Sequence, residues 1–253
     1  MGKIQDLSVA ELCGAMIGDG WIQSNKKNMF LAGDPTEDKD YYDKNIINLF
    51  QNLSIKVTSK NFPYWGAYGI SIHSKKIIKQ FIDMGIPEGK KCYTAQVPQW
   101  IINSKPEIKS AFVRGLFDTD GGIWCQKDYT KYANDFNSKY HVKIRLRFTS
   151  TSFDLQKQTL GLLNNLGYRC KLRFLKNRAT PSRPNNKDVC IIAMDRIKDI
   201  NTFFNRLIPS NKRHLTKYHI WRKFGFCPPK TTLKQRGDIL KKKISPYNLY
   251  KWE

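Results

Sequence analysis

No run of about 18 apolar residues occurs in this chain, so nothing in it reads as a membrane span. Its first residues, MGKIQDLSVAELCGAM, lack the basic segment followed by an apolar one that marks a secretory signal. The six cysteines (Cys13, Cys92, Cys125, Cys170, Cys190, Cys227) stand no closer than 20 residues apart, which leaves no CxxC hook for zinc. Scattered single cysteines fit a reduced, intracellular protein better than a disulfide framework. The four histidines, His73, His141, His214 and His219, make no metal-ligand cluster, and no Gly-rich phosphate loop is present. NTP-driven work and His-centred nuclease chemistry are therefore poor fits. Acids are scarce as well: 21 Asp and Glu face 44 Lys and Arg, for a net charge of +23. That surplus calls for a polyanion, either nucleic acid or an anionic membrane surface. A membrane surface would want an amphipathic helix with basic and apolar faces, whereas this sequence offers basic strands.

Forty per cent hydrophobic and 13 per cent aromatic residues suffice for a real core. The basic surplus is uneven: residues 1–100 carry 12 basic and 10 acidic side chains, 101–209 carry 20 and 9, and 210–253 carry 12 and 2. Two segments read alike, AELCGAMIGDG (Ala10–Gly20) and AFVRGLFDTDG (Ala111–Gly121). Each is a short apolar helical stretch with a small residue in its middle, ending in Asp-Gly and followed by a Trp (Trp21, Trp124). Asp19 and Asp120 stand 101 residues apart, which suggests two tandem halves of one architecture.

In the first half the pattern predicts strands at Trp21–Gln23, Met29–Ala32, Lys56–Phe62 and Tyr68–His73, with helices at Thr36–Leu53 and Lys75–Met84. In the second, Val142–Thr149 and Arg169–Lys176 alternate with period two and read as two half-buried paired strands. A helix at Phe153–Leu166, with Gly167 as C-cap, separates them; a strand at Val189–Met194 and a helix at Ile197–Leu207 follow. The expected class is α+β: two pseudo-symmetric αββαββα halves, residues 1–96 and 111–209, joined by a connector at 97–110. Residues 210–253 read as a basic tail that opens with a helix at Arg213–Phe224 and has little apolar periodicity beyond Lys230.

Gly14 and Gly18 lie four residues apart, as do Gly115 and Thr119, so each pair shares a helix face. Small residues there permit close helix–helix contact, by steric analogy with the small-xxx-small pattern. Gly20 and Gly121 read as the left-handed residues that end the two helices. That puts Asp19 and Asp120 at helix C-termini, where the macrodipole is already negative. Two carboxylates brought together there call for a cation, and hard oxygen ligands favour Mg²⁺ or Ca²⁺ over zinc.

LCGAMIGDG (Leu12–Gly20) and VRGLFDTDG (Val113–Gly121) resemble the two copies of the LAGLIDADG motif of homing endonucleases, over residues 8 to about 210. Position eight is Asp and positions three and nine are Gly in both copies; Ile17 and Arg114 depart from the pattern. The resemblance implies a monomeric, two-motif fold whose antiparallel sheets form a saddle on double-stranded DNA, with no protein partner. It implies a staggered double-strand break at one long asymmetric target. The cofactor implied is Mg²⁺, with Mn²⁺ a substitute and Ca²⁺ bound without cleavage. The metal-ligand aspartates fall on Asp19 and Asp120, and we place Gly18 and Thr119 beside them as further metal contacts. A family lysine from each half falls on Lys90 or Lys91 and on Lys212.

Independently of the resemblance, Lys143, Arg145, Arg147, Arg169, Lys171 and Arg173 form basic strand faces suited to guanine edges or phosphates. In the first half the polar strand candidates are Gln23, Ser24, Lys26, Lys27, Ser71 and His73. The chain opens on Met1 and ends without a His-Asn pair, so we expect a free-standing intracellular, soluble product of cytoplasm, nucleoid or organelle matrix, not an intein. The competing expectation is a non-cleaving nucleic-acid binder of the same fold, an RNA maturase or a DNA-binding regulator.

Overall fold

The computed structural model describes residues 2–130, 139–176 and 187–250. The first half runs α1 (Lys3–Gly18), β1 (Gly20–Ile22), β2 (Met29–Gly33), α2, β3 (Ser59–Phe62), β4 (Ala67–Ile72) and α3 (Lys75–Asp83). Helix α2 is continuous through three stretches, Lys39–Tyr41, a π-wound Tyr42–Ile46 and Ile47–Gln51. A short α4 (Gln99–Ile102) leads into the second half: α5 (Pro106–Asp120), β5 (Gly121–Gln126), β6 (Lys143–Ser150), α6 (Phe153–Asn165), β7 (Lys171–Leu175), β8 (Val189–Met194) and α7 (Ile197–Arg206). The αββαββα order thus appears twice. Each half holds one antiparallel four-stranded sheet, β1-β2-β4-β3 and β5-β6-β8-β7. Gly167 takes the left-handed conformation (φ 85°) expected of a helix stop.

The seam between the halves is the pair α1 and α5, the most extensive contact between elements among the described residues. A methyl group on Gly14 would stand 2.0 Å from the Phe112 carbonyl oxygen, and one on Gly115 would stand 2.0 Å from that of Glu11. The two backbones therefore touch at reciprocal glycines, and only hydrogen fits at either. A methyl on Gly18 would fall 2.1 Å from the Thr119 hydroxyl one turn further on. Leu12, Met16, Phe112 and Phe117 flank the seam fully buried, each contributing roughly 1.5–3 kcal/mol of apolar burial. Arg114, which breaks the small-residue pattern, leaves the seam sideways to pair with the Glu11 carboxylate and donate to the Leu207 carbonyl at 3.3 Å.

Gly20 and Gly121 do not stop their helices by a left-handed turn. Gly121 is extended (φ −73°, ψ 166°) and neither residue has positive φ. Each helix runs straight into its strand, and a methyl would strike the preceding helical turn: Met16 at 2.6 Å for Gly20, Phe117 at 2.3 Å for Gly121. Close approach, not handedness, requires glycine at both places.

The basic strands also pair differently from the expectation. β8 lies between β6 and β7, so there is no two-stranded ribbon. Ile144, Leu146 and Phe148 do face the core, but β7 is an edge strand in which Phe174 stays 55% exposed. Arg169 falls before β7 rather than in it.

The segment beyond residue 209 is folded as well as basic. It forms α8 (Lys212–Phe224), closed by Gly225 at φ 79°, then α9 (Leu233–Leu240) and a 3₁₀ turn at Pro246–Leu249. Arg236 of α9 is buried, donating to the Thr216 hydroxyl at 2.9 Å and pairing with Glu37 of the first half. A buried arginine at a core position hides the period of this helix from a hydropathy reading.

Candidate functional site

Asp19 and Asp120 end α1 and α5, and because those helices pack side by side the two carboxyls come under mutual repulsion. Burial first, then the charges of Asp120 and Asp38, raise Asp19 from 3.8 to about 7; Arg213 and Lys91 oppose this. Burial raises Asp120 too, although its side chain opens to solvent, with Lys91 and Arg213 holding it down. Tyr42, on the π-wound stretch of α2, donates to Asp19 at 3.3 Å.

Each helix end carries one cation on its last carbonyls. Lys91 donates all three of its protons, at 2.6 Å each, to Met16, Ile17 and Gly18. Its burial lowers it to about 8, against the pull of Asp120 and Asp19. On α5 the same place is taken by Arg213, which donates to the Thr119 carbonyl at 2.6 Å. Buried Asp38 holds Arg213 from the other side at 3.0 Å, and Asn211 ties Asp38 to the Asp118 carbonyl at 2.8 and 2.9 Å. Asp118 in turn accepts the backbone N–H groups of Ser210 and Asn211 at 2.8 and 3.1 Å, fixing the start of α8. Burial raises its carboxyl to about 7.

The second cation is thus Arg213, one residue after the expected Lys212, whose ammonium pairs with Asp40 instead. Lys212 sits half-exposed with Asp40, so Lys212→Ala should change stability by less than about 1 kcal/mol. Arg213→Ala leaves the buried Asp38 carboxyl, already raised by its burial, without its arginine, and should cost about 3 kcal/mol or more in urea unfolding. Equal midpoints for the two variants would remove Arg213 from this role.

Lys90 and Lys91 both line a cavity of about 610 Å³ together with Gly18, Trp21, Ser24, Asp120 and Thr151. Lys90 is exposed there, while Lys91 has every donor engaged. The carbonyls of Gly18 and Thr119 accept from Lys91 and Arg213, each keeping a second lone pair. The described residues hold no group of three or more His, Cys, Asp or Glu able to cage a metal. Two carboxylates with elevated pKa fit a divalent cation that draws its other ligands from water and a phosphate backbone.

A carboxyl raised in the folded state keeps its proton where the unfolded chain has lost it. Folding therefore becomes less favourable as pH rises from 3.8 to about 7, the window set by Asp19 and Asp118. We expect Asp19→Asn to flatten the fall in melting temperature over that window and to abolish any stabilisation that added Mg²⁺ gives the native chain near pH 7.5. An unchanged slope together with an unchanged Mg²⁺ response would contradict the assignment.

Of the basic face, Lys143, Arg145, Arg147, Lys171 and Arg173 project from one side of the second sheet, as the registers Trp124↔Arg145, Arg147↔Ala193 and Lys171↔Ala193 require. It is not free of acid: Asp195 pairs with Arg145 at 3.1 Å and Arg173 at 3.6 Å, and Asp128 with Lys143 at 3.7 Å. Arg147 lies over the Trp124 ring at 5.1 Å. In the first half, Gln23, Asn28, His73 and Ser71 form one hydrogen-bonded chain at one end of the sheet. Lys26 pairs with Glu88 at 3.0 Å, and Ser24 and Lys27 are exposed beside it. The centre of that face is aromatic, built from Trp21, Phe30, Phe62 and Trp65.

No family model matches the chain. An uncharacterized protein of Methanocaldococcus jannaschii is 26% identical over 208 residues, 79% of this chain but 21% of its own length. The replication factor C small subunit of the same organism is 26% identical over 212 residues, 83% of this chain and 10% of its own. The chain thus spans about a fifth or less of these curated relatives. Among solved structures, mesophilic variants of the homing endonuclease I-DmoI superpose with a TM-score of 0.51 at 18% identity, over 82% of this chain and 98% of theirs. I-DmoI in complex with DNA and Mn gives 0.50 at 19%, over 82% and 99%. The N-terminal LAGLIDADG domain of WhiA gives 0.50 at 14%, over 83% and 87%. The chain has a LAGLIDADG-type fold.

Proposed function

We propose that this chain is a site-specific, Mg²⁺-dependent DNA endonuclease that makes a staggered double-strand break. The observation that supports this most is the reciprocal site at the seam: one aspartate from each half, each beside a cation capping its helix end. One carboxylate per half suits a duplex, which presents one scissile phosphate per strand. A divalent cation bound there would supply an activated water and stabilise the leaving oxygen. Asp19 and Asp120 would hold that cation, and Lys91 and Arg213 would keep positive charge behind the phosphate as it becomes more negative. Lys91 can do so only as a fixed charge, because its protons are spent on the helix carbonyls. Exposed Lys90 is the candidate to touch phosphate directly.

The five cations on the second sheet would take the DNA backbone or guanine edges. Binding should then weaken steeply with salt, by about 10³-fold or more between 50 and 200 mM if six or more phosphates are contacted. A complex indifferent to salt would contradict this use of the basic face. The competing reading is a non-cleaving binder of the same fold. Incubation of duplex DNA with Mg²⁺, Ca²⁺ and EDTA separates the two, since only the endonuclease cuts, and only with an active metal.

A further inference from the structure

The two sheets present different chemistry at equivalent places. In the second, Trp124 on the first strand pairs across to Arg145. In the first, Trp21 pairs across to Phe30, and the rings stack at 5.6 Å. The outer face of β4 is made of Ala67, Gly69 and Ser71, all small, so side chains of β2 and β3 meet above it. Phe30 reaches Phe62 at 5.9 Å, and Trp65, from the turn between β3 and β4, contacts Trp21, Phe30 and Phe62 at 6.1, 5.0 and 5.4 Å. Trp21 remains 40% exposed, Trp65 49% and neighbouring Tyr64 96%.

Large rings left in water on a sheet face call for an occupant. The strand residues of this face include one cation, Lys60, against five on the second sheet. That is too few for a duplex held by its phosphates. Unpaired bases need less charge, because each lays a π-face on a ring, and a four-stranded antiparallel sheet with exposed aromatics is a known solution for them. Lys60, 5.4 Å from the Phe62 ring centre, and exposed Lys27 at the margin supply backbone charge. Trp21 also lines the cavity that holds Asp120 and Lys91.

We propose that the outer face of β1–β4 binds unpaired nucleic-acid bases by stacking on Trp21 and Trp65. The proposal rests on this face and not on the cleavage reading.

The test is titration of the full chain, in EDTA and low salt, with oligouridylate and oligothymidylate of about 12 nucleotides, read by tryptophan quenching and by anisotropy of labelled strands. Both single strands should bind, and Trp21→Ala and Trp65→Ala should each weaken binding by about 5- to 100-fold. The Trp→Phe variants should retain most of it, which separates lost stacking from lost folding. Phe153→Ala, an exposed ring on α6, should bind as the native chain does. Preference for the uracil or the thymine strand would identify the natural ligand as RNA or DNA. Folded Trp21→Ala and Trp65→Ala chains that hold both strands at native affinity would overturn the proposal. So would absence of single-strand binding, which would leave the face to a protein partner. Single-strand binding without duplex cleavage in any metal would sink the endonuclease reading and leave this one intact.

Discussion

Replacing Asp120 or Asp19 by Asn should reduce double-strand cleavage by at least about a hundredfold while leaving DNA binding within a few-fold. The amide keeps the size and one oxygen of the carboxylate but loses the charge that holds a cation. Neither residue braces the fold, since Asp120 opens to solvent and Asp19 makes one long hydrogen bond, from Tyr42. Removing either charge also relieves repulsion that burial intensifies, so both variants should be as stable as the native chain or more so near pH 7. Because each aspartate belongs to one half, a single substitution should still nick one strand more readily than it breaks both. Supercoiled, nicked and linear plasmid carrying the target report all three outcomes in one gel. Undiminished linear product from both variants would remove the carboxylates from the site.

The largest stability effects should come from the reciprocal glycines. A methyl at Gly14 or Gly115 meets backbone oxygen at 2.0 Å, and backbone of a packed helix cannot turn aside as a side chain can. Gly14→Ala and Gly115→Ala should each cost about 3 kcal/mol or more, the upper range for overpacking, and lower the melting temperature by about 6–12 °C. Gly161, on the exposed side of α6, has nothing within 4 Å of an added methyl, so Gly161→Ala should stabilise by up to about 1 kcal/mol through helix propensity. Opposite signs for one chemical change would isolate the seam as the cause. Mild destabilisation at Gly14 and Gly115 would mean that the helices part more easily than their contact suggests.

The seam and its aspartates were legible because both are local patterns: small residues four apart, then Asp-Gly, twice. The repeated helix and strand order followed from periodicity. What escaped depends on distant contacts. Arg213 could not be told from Lys212 by position, because buried Asp38 and the Thr119 carbonyl, far off in sequence, select one cation over the other. Asp118 holds the start of α8 through residues 92 and 93 positions away, which no local pattern announces. The roles of Gly20 and Gly121 are not legible in sequence because a helix-ending glycine has two possible causes, and only the backbone angle separates them. β6 and β7 were joined because two alternating strands invite pairing, while β8, continuous and apolar, carries no mark of lying between them. Asp195, at the end of that strand, neutralises part of a face that looked purely basic.

The most direct test of the central claim is exposure of a randomised duplex library to the chain with Mg²⁺ and with EDTA, followed by sequencing of the ends produced. The proposed endonuclease predicts Mg²⁺-dependent, staggered double-strand breaks at one long site. Enrichment of bound duplexes with no new ends in any divalent metal would contradict it, and would make this fold a binder rather than a cutter of DNA.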